Sequence, residues 1–217
     1  MFPNIVAEEP KVVSFLNGLR LPRQTMLEIL SSTSGERANV RASDPKTAKG
    51  YETWRWGTRF CRESEDLAAL GWIACEHNQI DGIRNDDLRV KLVVCNMNAN
   101  AGNADPTKQP KNTNKKGSAN CVKIEGNSPQ LTMGFPTETH TNPLDLYDFW
   151  YFGVHISDKQ ISAEVCRANS ESGGFITSFS DRIILAKPGE LPGLKAFGSV
   201  EEDFAEVQMP SVIRKPR

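Results

Sequence analysis

The 217-residue sequence lacks the motifs by which common enzyme classes are recognised. It contains no Walker loop, no GxGxxG, no GxSxG and no HExxH, and it has only 3 histidines. The sequence signals for phosphate-loop nucleotide binding, dinucleotide binding, serine hydrolysis and zinc proteolysis are therefore missing. Nothing positive supports catalysis. The sequence does not decide whether the protein is an enzyme, but it favours a protein without enzymatic activity. We expect no cofactor.

Long apolar runs are missing as well. No stretch of about 18 apolar residues occurs, so the sequence predicts no transmembrane helix. A secretion signal has a basic region followed by an apolar one, and the first residues do not show this pattern. The 5 cysteines are odd in number and widely spaced, without a CxxC pair, so we expect no disulfide framework. These absences predict a cytoplasmic protein with no membrane partner.

The sequence does contain enough apolar material for a core, and its charge alternates along the chain. Apolar residues make up 38% and charged residues 24%, which with the length suits one domain over residues 1–217. A net charge of −1 excludes a highly basic, histone-like binder. Residues 1–62 carry 10 basic and 6 acidic side chains, and residues 107–123 carry 5 lysines and no acid. The intervening 63–106 and the closing 124–217 are each net −5.

Residues 1–70 have helical periodicity. Pro10 and Pro22 each suit the first turn of a short helix, and the second helix is expected to end in the polar run 31–35. Two helices joined by a tight break match a helix-turn-helix in outline, with Arg23, Gln24 and Thr25 where base-reading residues lie. The alternative is an ordinary helical hairpin that caps a sheet.

A third helix is predicted over about residues 46–70. At about 100° per residue, one face collects its apolar side chains. These include Trp54, Trp56, Phe60, Cys61 and Leu67. The predicted helix is therefore amphipathic, and we expect this aromatic face to pack on the sheet.

The opposite face of this helix carries Arg55, Arg59 and Arg62, which we call the arginine stripe. Arginine offers a planar fork for phosphate or carboxylate groups, so the stripe is a candidate anion site. Tyr51 lies beside it and could add a stacking surface. The alternative is a ladder of surface ion pairs. Its acidic members would be Glu52 for Arg55, Glu63 for Arg59 and Asp66 for Arg62.

Strand patterns begin at residue 71. Strands are predicted over 71–77, 88–96, 148–156, 161–167, 175–179 and 182–186, with 80–87 as a turn. Short turns between neighbouring strands favour antiparallel pairing. The fold class is therefore α+β, with N-terminal helices on one face of a mostly antiparallel sheet of about five strands formed by 71–96 and 148–187.

A long polar insertion, residues 97–146, separates two predicted strands. Its first half is rich in Asn, Gly, Lys and Pro, and we expect a flexible loop. Its candidate phosphate-contacting residues are Lys108, Lys111, Lys115 and Lys116, with Lys123 adding to the positive charge. A solvated linker without a partner is the alternative. Residues 197–217 are expected to form an edge strand or a flexible tail.

The sequence contains three weaker chemical patterns. Asp87 and Lys91 are a degenerate version of the acid and lysine of metal-dependent nucleases. Cys75 and His77 on one strand, with Cys95 on a strand expected to neighbour it, are three zinc-ligand types without a fourth, and we expect no metal. His155 lies diagonal to Glu164 in a predicted hairpin, an arrangement that can serve general-base chemistry.

Three functional hypotheses follow. The first is non-enzymatic binding of a polyanion, above all DNA or RNA, by the arginine stripe and the loop lysines. The second is a protein-interaction or assembly subunit whose partner is another protein. The third is a divergent metal-dependent nuclease.

Overall fold

The structure is a computed structural model that describes residues 3–77, 79–117, 119, 124, 127 and 147–192. Four helices and seven strands occur in these residues. The helices are α1 (Glu9–Gly18), α2 (Arg23–Ala38), α3 (Ala48–Glu63) and α4 (Glu65–Ala69). The strands are β1 (Asn4–Val6), β2 (Trp72–His77), β3 (Ile80–Asn85), β4 (Val90–Asn96), β5 (Asp148–Ile156), β6 (Gln160–Ser172) and β7 (Phe175–Pro192). The expected tail, 197–217, lies outside the described residues.

The strands form one sheet in the order β1-β7-β6-β5-β4-β3-β2. The β4/β5 and β1/β7 pairs are parallel and the other four pairs are antiparallel. The α+β class and the mostly antiparallel pairing are confirmed. The expected number of strands is wrong, because the sheet has seven strands rather than about five.

The difference between the predicted and observed strands has identifiable causes. β3 has the sequence IDGIRN, whose Asp, Gly and Asn are turn formers. It is nevertheless a strand, and Gly82 is needed there because a Cβ would collide with the carbonyl oxygen of Leu92. β1 has only 3 residues, too few for a periodic pattern. Residues 175–192 form one strand of 18 residues instead of two short ones.

The helix boundaries also differ from the predicted ones. α2 continues through the polar run 31–35, because Thr33 and Ser34 are buried and the hydroxyl of Thr33 donates to the carbonyl of Ile29. The predicted helix over 46–70 is two helices. Its backbone is extended at Ser64, whose side chain caps α4 by accepting a hydrogen bond from the Leu67 amide. None of the described helices has the length and apolar content needed to span a bilayer.

The start of α2 faces the protein and not a partner. The Arg23 guanidinium donates to the carbonyl of Leu185 in β7, and the buried Thr25 donates to Asp66. Gln24 bonds Glu28 one turn along the same helix. Two of the three residues expected to read bases are thus engaged within the protein, and α1 and α2 form a helical hairpin that packs on the sheet.

The sheet buries an apolar layer on each face. One layer packs under the helices and includes Leu92, Val94, Trp150, Phe152, Val165 and Ile183. The other layer includes Val93, Cys95, Phe149, Tyr151, Cys166 and Phe179, and it packs with Met97, Ala101 and Ile124 of the insertion. The helices cover one face, and the described part of the insertion packs on the other.

A buried ion pair fastens the insertion to this second face. Arg182 of β7 and Glu164 of β6 are both 0% exposed and share two hydrogen bonds of 2.9 and 2.6 Å. The Gly102 amide donates to the same carboxylate at 2.8 Å, and Arg182 donates to the carbonyl of Asn103 at 2.9 Å. The loop segment 102–103 is thus held by charged groups that are themselves paired.

We predict that breaking this ion pair destabilises the fold. Arg182→Met leaves Glu164 buried without its counter-charge, so the free energy of unfolding should fall by about 3–5 kcal/mol in a urea titration. The double variant Glu164→Gln/Arg182→Met should recover part of that loss, because no buried charge then remains. The same substitution in an exposed pair, Arg55→Met, should cost less than about 1 kcal/mol. Equal losses for Arg182→Met and Arg55→Met would contradict this account.

Candidate functional site

The three arginines of the stripe do not form one uniform surface. Arg62 turns toward the sheet, where its guanidinium donates to Asp81 at 2.5 Å and to the carbonyls of Cys75 and Gly82 at 3.0 and 3.2 Å. Its carboxylate partner is Asp81 and not Asp66. Arg62 therefore stabilises the packing of α3 on the β2–β3 hairpin. Arg62 keeps an exposed part, but its guanidinium is bound to the hairpin and does not continue the surface formed by Arg55 and Arg59.

Arg55 and Arg59 remain at the surface but are paired. Arg55 contacts Glu52 at 3.3 Å and Arg59 contacts Glu63 at 2.9 Å, with about half of each arginine side chain exposed. Both guanidinium groups also lie over the ring of Trp56, 5.1 and 5.0 Å from its centroid. Surface pairs of this kind contribute about 0–1 kcal/mol to stability.

Trp56 lies beneath these two arginines at the surface of α3. Its ring stacks on Phe60 with centroids 5.6 Å apart and remains half-buried. Among the aromatic residues of α3, Trp54 and Phe60 pack against the core beneath the helices. The buried positions of the helix are small ones, Thr53, Gly57, Thr58 and Cys61. The expectation that Trp56 faces the sheet is wrong, because the close approach of α3 to Val94 leaves room there only for small residues.

A cleft lies where the first turns of α3 meet the insertion. Its volume is about 360 Å³. Its lining comes from α3 and the residue before it, from the end of β4, and from the loop 113–116. The lining residues are Thr47, Gly50, Tyr51, Trp54, Asn96, Thr113, Asn114, Lys115 and Lys116. Among these residues there are two lysines and no carboxylate, and we call this feature the lysine cleft.

Asparagine side chains hold the two walls of the lysine cleft together. The Asn96 amide donates to the carbonyl of Gly50 at 2.7 Å and so joins the end of β4 to α3. The Thr113 amide donates to the carbonyl of Asn96 at 3.0 Å. The helix, the strand and the loop therefore share one hydrogen-bonded junction at the cleft.

The buried Asn112 fixes the lysine-bearing part of the loop. Its amide nitrogen donates to the carbonyls of Asn114 and Gly174, and its oxygen accepts from the Ile176 amide at 2.7 Å. The Lys116 amide also donates to the carbonyl of Gly174, at 2.8 Å. Gly174 has a φ of +87°, and a Cβ there would lie 3.0 Å from the carbonyl oxygen of Lys116. Residues 112–116 are thus hydrogen-bonded to the β6–β7 turn.

The four predicted loop lysines fall into two groups. Lys115 and Lys116 line the cleft, and the Lys116 ammonium lies 5.1 Å from the centre of the Tyr151 ring. Lys108 lies in a separate turn, where its backbone amide donates to the backbone carbonyl of Asp105. Hydrogen bonds from Thr107, and then the charge of Lys108, lower the pKa of the Asp105 carboxyl. Lys111 contacts Asn98, and neither Lys108 nor Lys111 lines the lysine cleft. Lys123 lies outside the described residues.

The structure does not assemble the weaker catalytic and metal patterns. Asp87 is exposed and bonds Arg20 at 2.7 Å, whereas Lys91 is buried and donates to the carbonyl of Ile80. β3 lies between β2 and β4, so Cys75 and Cys95 are not on neighbouring strands as expected. In the part of the chain that the structure describes, no group of three or more His, Cys, Asp or Glu side chains could hold a metal ion.

The predicted couple of His155 and Glu164 does not form. The Glu164 carboxylate is taken up by Arg182 and the Gly102 amide. The Nδ1 atom of His155 lies 3.1 Å from the carbonyl oxygen of Met97. Desolvation by burial lowers the pKa of His155, the Met97 hydrogen bond opposes this, and the charge of Arg37 lowers it further.

No family model, no curated protein and no solved structure matches this chain. The candidate site is therefore defined by its own geometry. The sequence suggested Lys115 and Lys116 as candidate phosphate contacts and Tyr51 as a stacking surface. It gave no role to Asn96 or Asn112. The concentration of asparagine in residues 96–114 was the available signal, because Asn side chains in loops bond the backbone.

We predict that Asn112 sets the order of the lysine-bearing loop. Asn112→Ala leaves the buried Ile176 amide without its acceptor and removes one of the two donors to the Gly174 carbonyl, so the free energy of unfolding should fall by about 1–3 kcal/mol. Hydrogen exchange at the Ile176 amide should accelerate. Asn114→Ala is the control, since its exposed side chain has no such role. If both variants gave the same exchange rate at Ile176, the pinning role of Asn112 would be refuted.

We also predict a pH dependence that belongs to His155. Its folded-state pKa is lower than the ordinary value of 6.5, so the unfolded chain binds a proton more readily. This contribution to stability is complete above about pH 6.5 and is lost as the pH falls. In urea titrations from about pH 7.5 to 5.5, wild type should lose more stability than His155→Gln. Parallel curves would show that His155 does not contribute.

Proposed function

We propose that the chain binds nucleic acid at the lysine cleft, without catalysis by the residues described above. The observation that carries the proposal is the cleft itself. It places Lys115 and Lys116 beside Tyr51 and Trp54, with amide and hydroxyl side chains in the lining and no carboxylate. Cationic groups beside aromatic faces are the combination that binds phosphates and bases together.

Electrostatics supports an anionic ligand at this place. The chain as a whole has a net charge of −1, so no general attraction for polyanions is expected. The described lining of the cleft is positive, and binding there would neutralise phosphates locally and release their counterions. A local cationic surface on a near-neutral protein is expected to give modest, salt-sensitive affinity.

The arginines of α3 supply a second contact in the proposal. Tyr51, Arg55 and Arg59 follow one another at i, i+4 and i+8 on one helix face. A strand seated in the lysine cleft can therefore continue along α3 and displace Glu52 and Glu63 from their surface pairs. Arg62 takes no part, since Asp81 and two backbone carbonyls occupy it. Lys108 and Lys111 are assigned no direct contact in the cleft.

The proposal predicts a salt slope that depends on the cleft lysines. Fluorescence anisotropy with a labelled oligonucleotide of about 12 nucleotides measures Kd over about 50–200 mM salt. Each lysine changed to glutamine should reduce the slope of log K against log salt by about 0.7 to 0.9. The largest reduction is expected for Lys115→Gln/Lys116→Gln.

Lys11→Gln is the matched control, because Lys11 is an exposed lysine of α1 paired with Glu8. It should leave both Kd and slope unchanged. Affinity that does not vary with salt, or an equal effect of Lys11→Gln, would overturn the proposal. The assembly-subunit alternative makes the opposite prediction: a protein partner is retained after nuclease treatment, and no DNA or RNA shifts the chain on a gel.

A further inference from the structure

We propose that the nucleic acid bound at the lysine cleft is single-stranded and that one unpaired base stacks on the ring of Tyr51. This inference rests on the proposed function and specifies its ligand. It comes from the exposure of Tyr51, from the way its ring is supported, and from the chemistry and size of the cleft.

Tyr51 is 56% exposed, the highest value among the large apolar side chains that the structure describes as exposed. It lies in the first turn of α3 and lines the lysine cleft. The other two such side chains, Val13 on α1 and Ile73 on β2, do not line this cleft. An aromatic face in this position offers contact area to a planar ligand.

The ring of Tyr51 is supported from one side by Trp54. Its centroid lies 5.8 Å from that of Trp54, with the rings tilted by 46°. Trp54 packs in turn against the core beneath the helices. The hydrogen bond from Asn96 to the Gly50 carbonyl fixes the backbone next to Tyr51. A supported ring loses little conformational freedom on binding, which favours stacking.

Stacking on a side chain requires a base whose face is accessible. In a duplex each base face is covered by the neighbouring pair, whereas single strands present unstacked bases to aromatic residues. The cleft volume of about 360 Å³ lies at the lower end of the range for small-ligand sites, about 300–1,000 Å³. A cleft of this size suits one nucleotide.

The other cleft residues fit the remaining parts of a nucleotide. Lys115 can meet a phosphate beside the stacked base, and the Lys116 ammonium can meet a second one by leaving its place over the Tyr151 ring. Asn96, Thr113 and Asn114 bring amide and hydroxyl groups to the same lining, and these can bond a base edge or a sugar hydroxyl. DNA and RNA share the base and phosphate chemistry, so both are included in the ligand class.

The experiment compares four labelled ligands of one length at one salt concentration: single-stranded DNA, single-stranded RNA, duplex DNA and an abasic DNA strand. We expect at least one single strand to bind about tenfold tighter than both the duplex and the abasic strand. Tyr51→Ala should remove that advantage, weakening single-strand binding about tenfold with little effect on the duplex. Tyr51→Phe keeps the ring and should retain the advantage.

Val13→Ala is the control for loss of an exposed apolar side chain, and urea titrations establish that each variant is folded. If duplex and abasic strands bind as tightly as single strands, and binding still depends on Lys115, the stacking inference is refuted while the proposed function stands. The inference is also refuted if Tyr51→Ala binds single strands like wild type. If none of the four ligands binds, the proposed function itself is refuted.

Discussion

The structure depends on one constraint: an apolar sheet face must be covered by a segment that has few apolar side chains. The helices bury the other face by ordinary apolar packing. On the insertion side, a few residues such as Met97, Ala101 and Ile124 fill the layer. Buried polar side chains hold the described residues 100–116 by hydrogen bonds between the insertion and the sheet. Arg182 binds carbonyls at Asn100 and Asn103, and Asn112 binds the β6–β7 turn. An unpaired buried polar group is costly, so these bonds favour one position for the described residues 100–116 of the insertion.

The same constraint creates the lysine cleft. Asn112 ties residues 112–116 to Gly174, and Asn96 ties β4 to Gly50 of α3. Lys115 and Lys116 are thereby brought beside Tyr51, although more than 60 residues separate them along the chain. A mobile lysine-rich segment would bind polyanions weakly and without shape. A fixed one next to a supported aromatic ring is the basis for proposing a defined single-stranded ligand.

Ion pairing divides the arginine stripe in a way that helix periodicity does not reveal. The helical periodicity correctly predicted that Arg55 and Arg59 lie at the surface. It also paired them with the correct acids, Glu52 and Glu63. It failed for Arg62, because Asp81 and the carbonyls of the β2–β3 hairpin come from a distant part of the chain. It also failed for Trp56, because the packing distance between α3 and β4 is set by Gly57 and Val94, which only the assembled fold brings together.

By itself the sequence determined the α+β class, the amphipathic character of α3, the apolar strands β4 and β5, and the positive charge of the loop. Each of these follows from local periodicity or composition, which neighbouring residues define without help from the rest of the chain. The tertiary structure alone decided the strand β3, the continuation of α2 through its polar run, and the course of residues 97–117 of the insertion. These depend on contacts between residues far apart in sequence, where burial and hydrogen bonding override local preference. The lysine cleft belongs to this second group, because its two walls meet only when the insertion is fastened to the sheet.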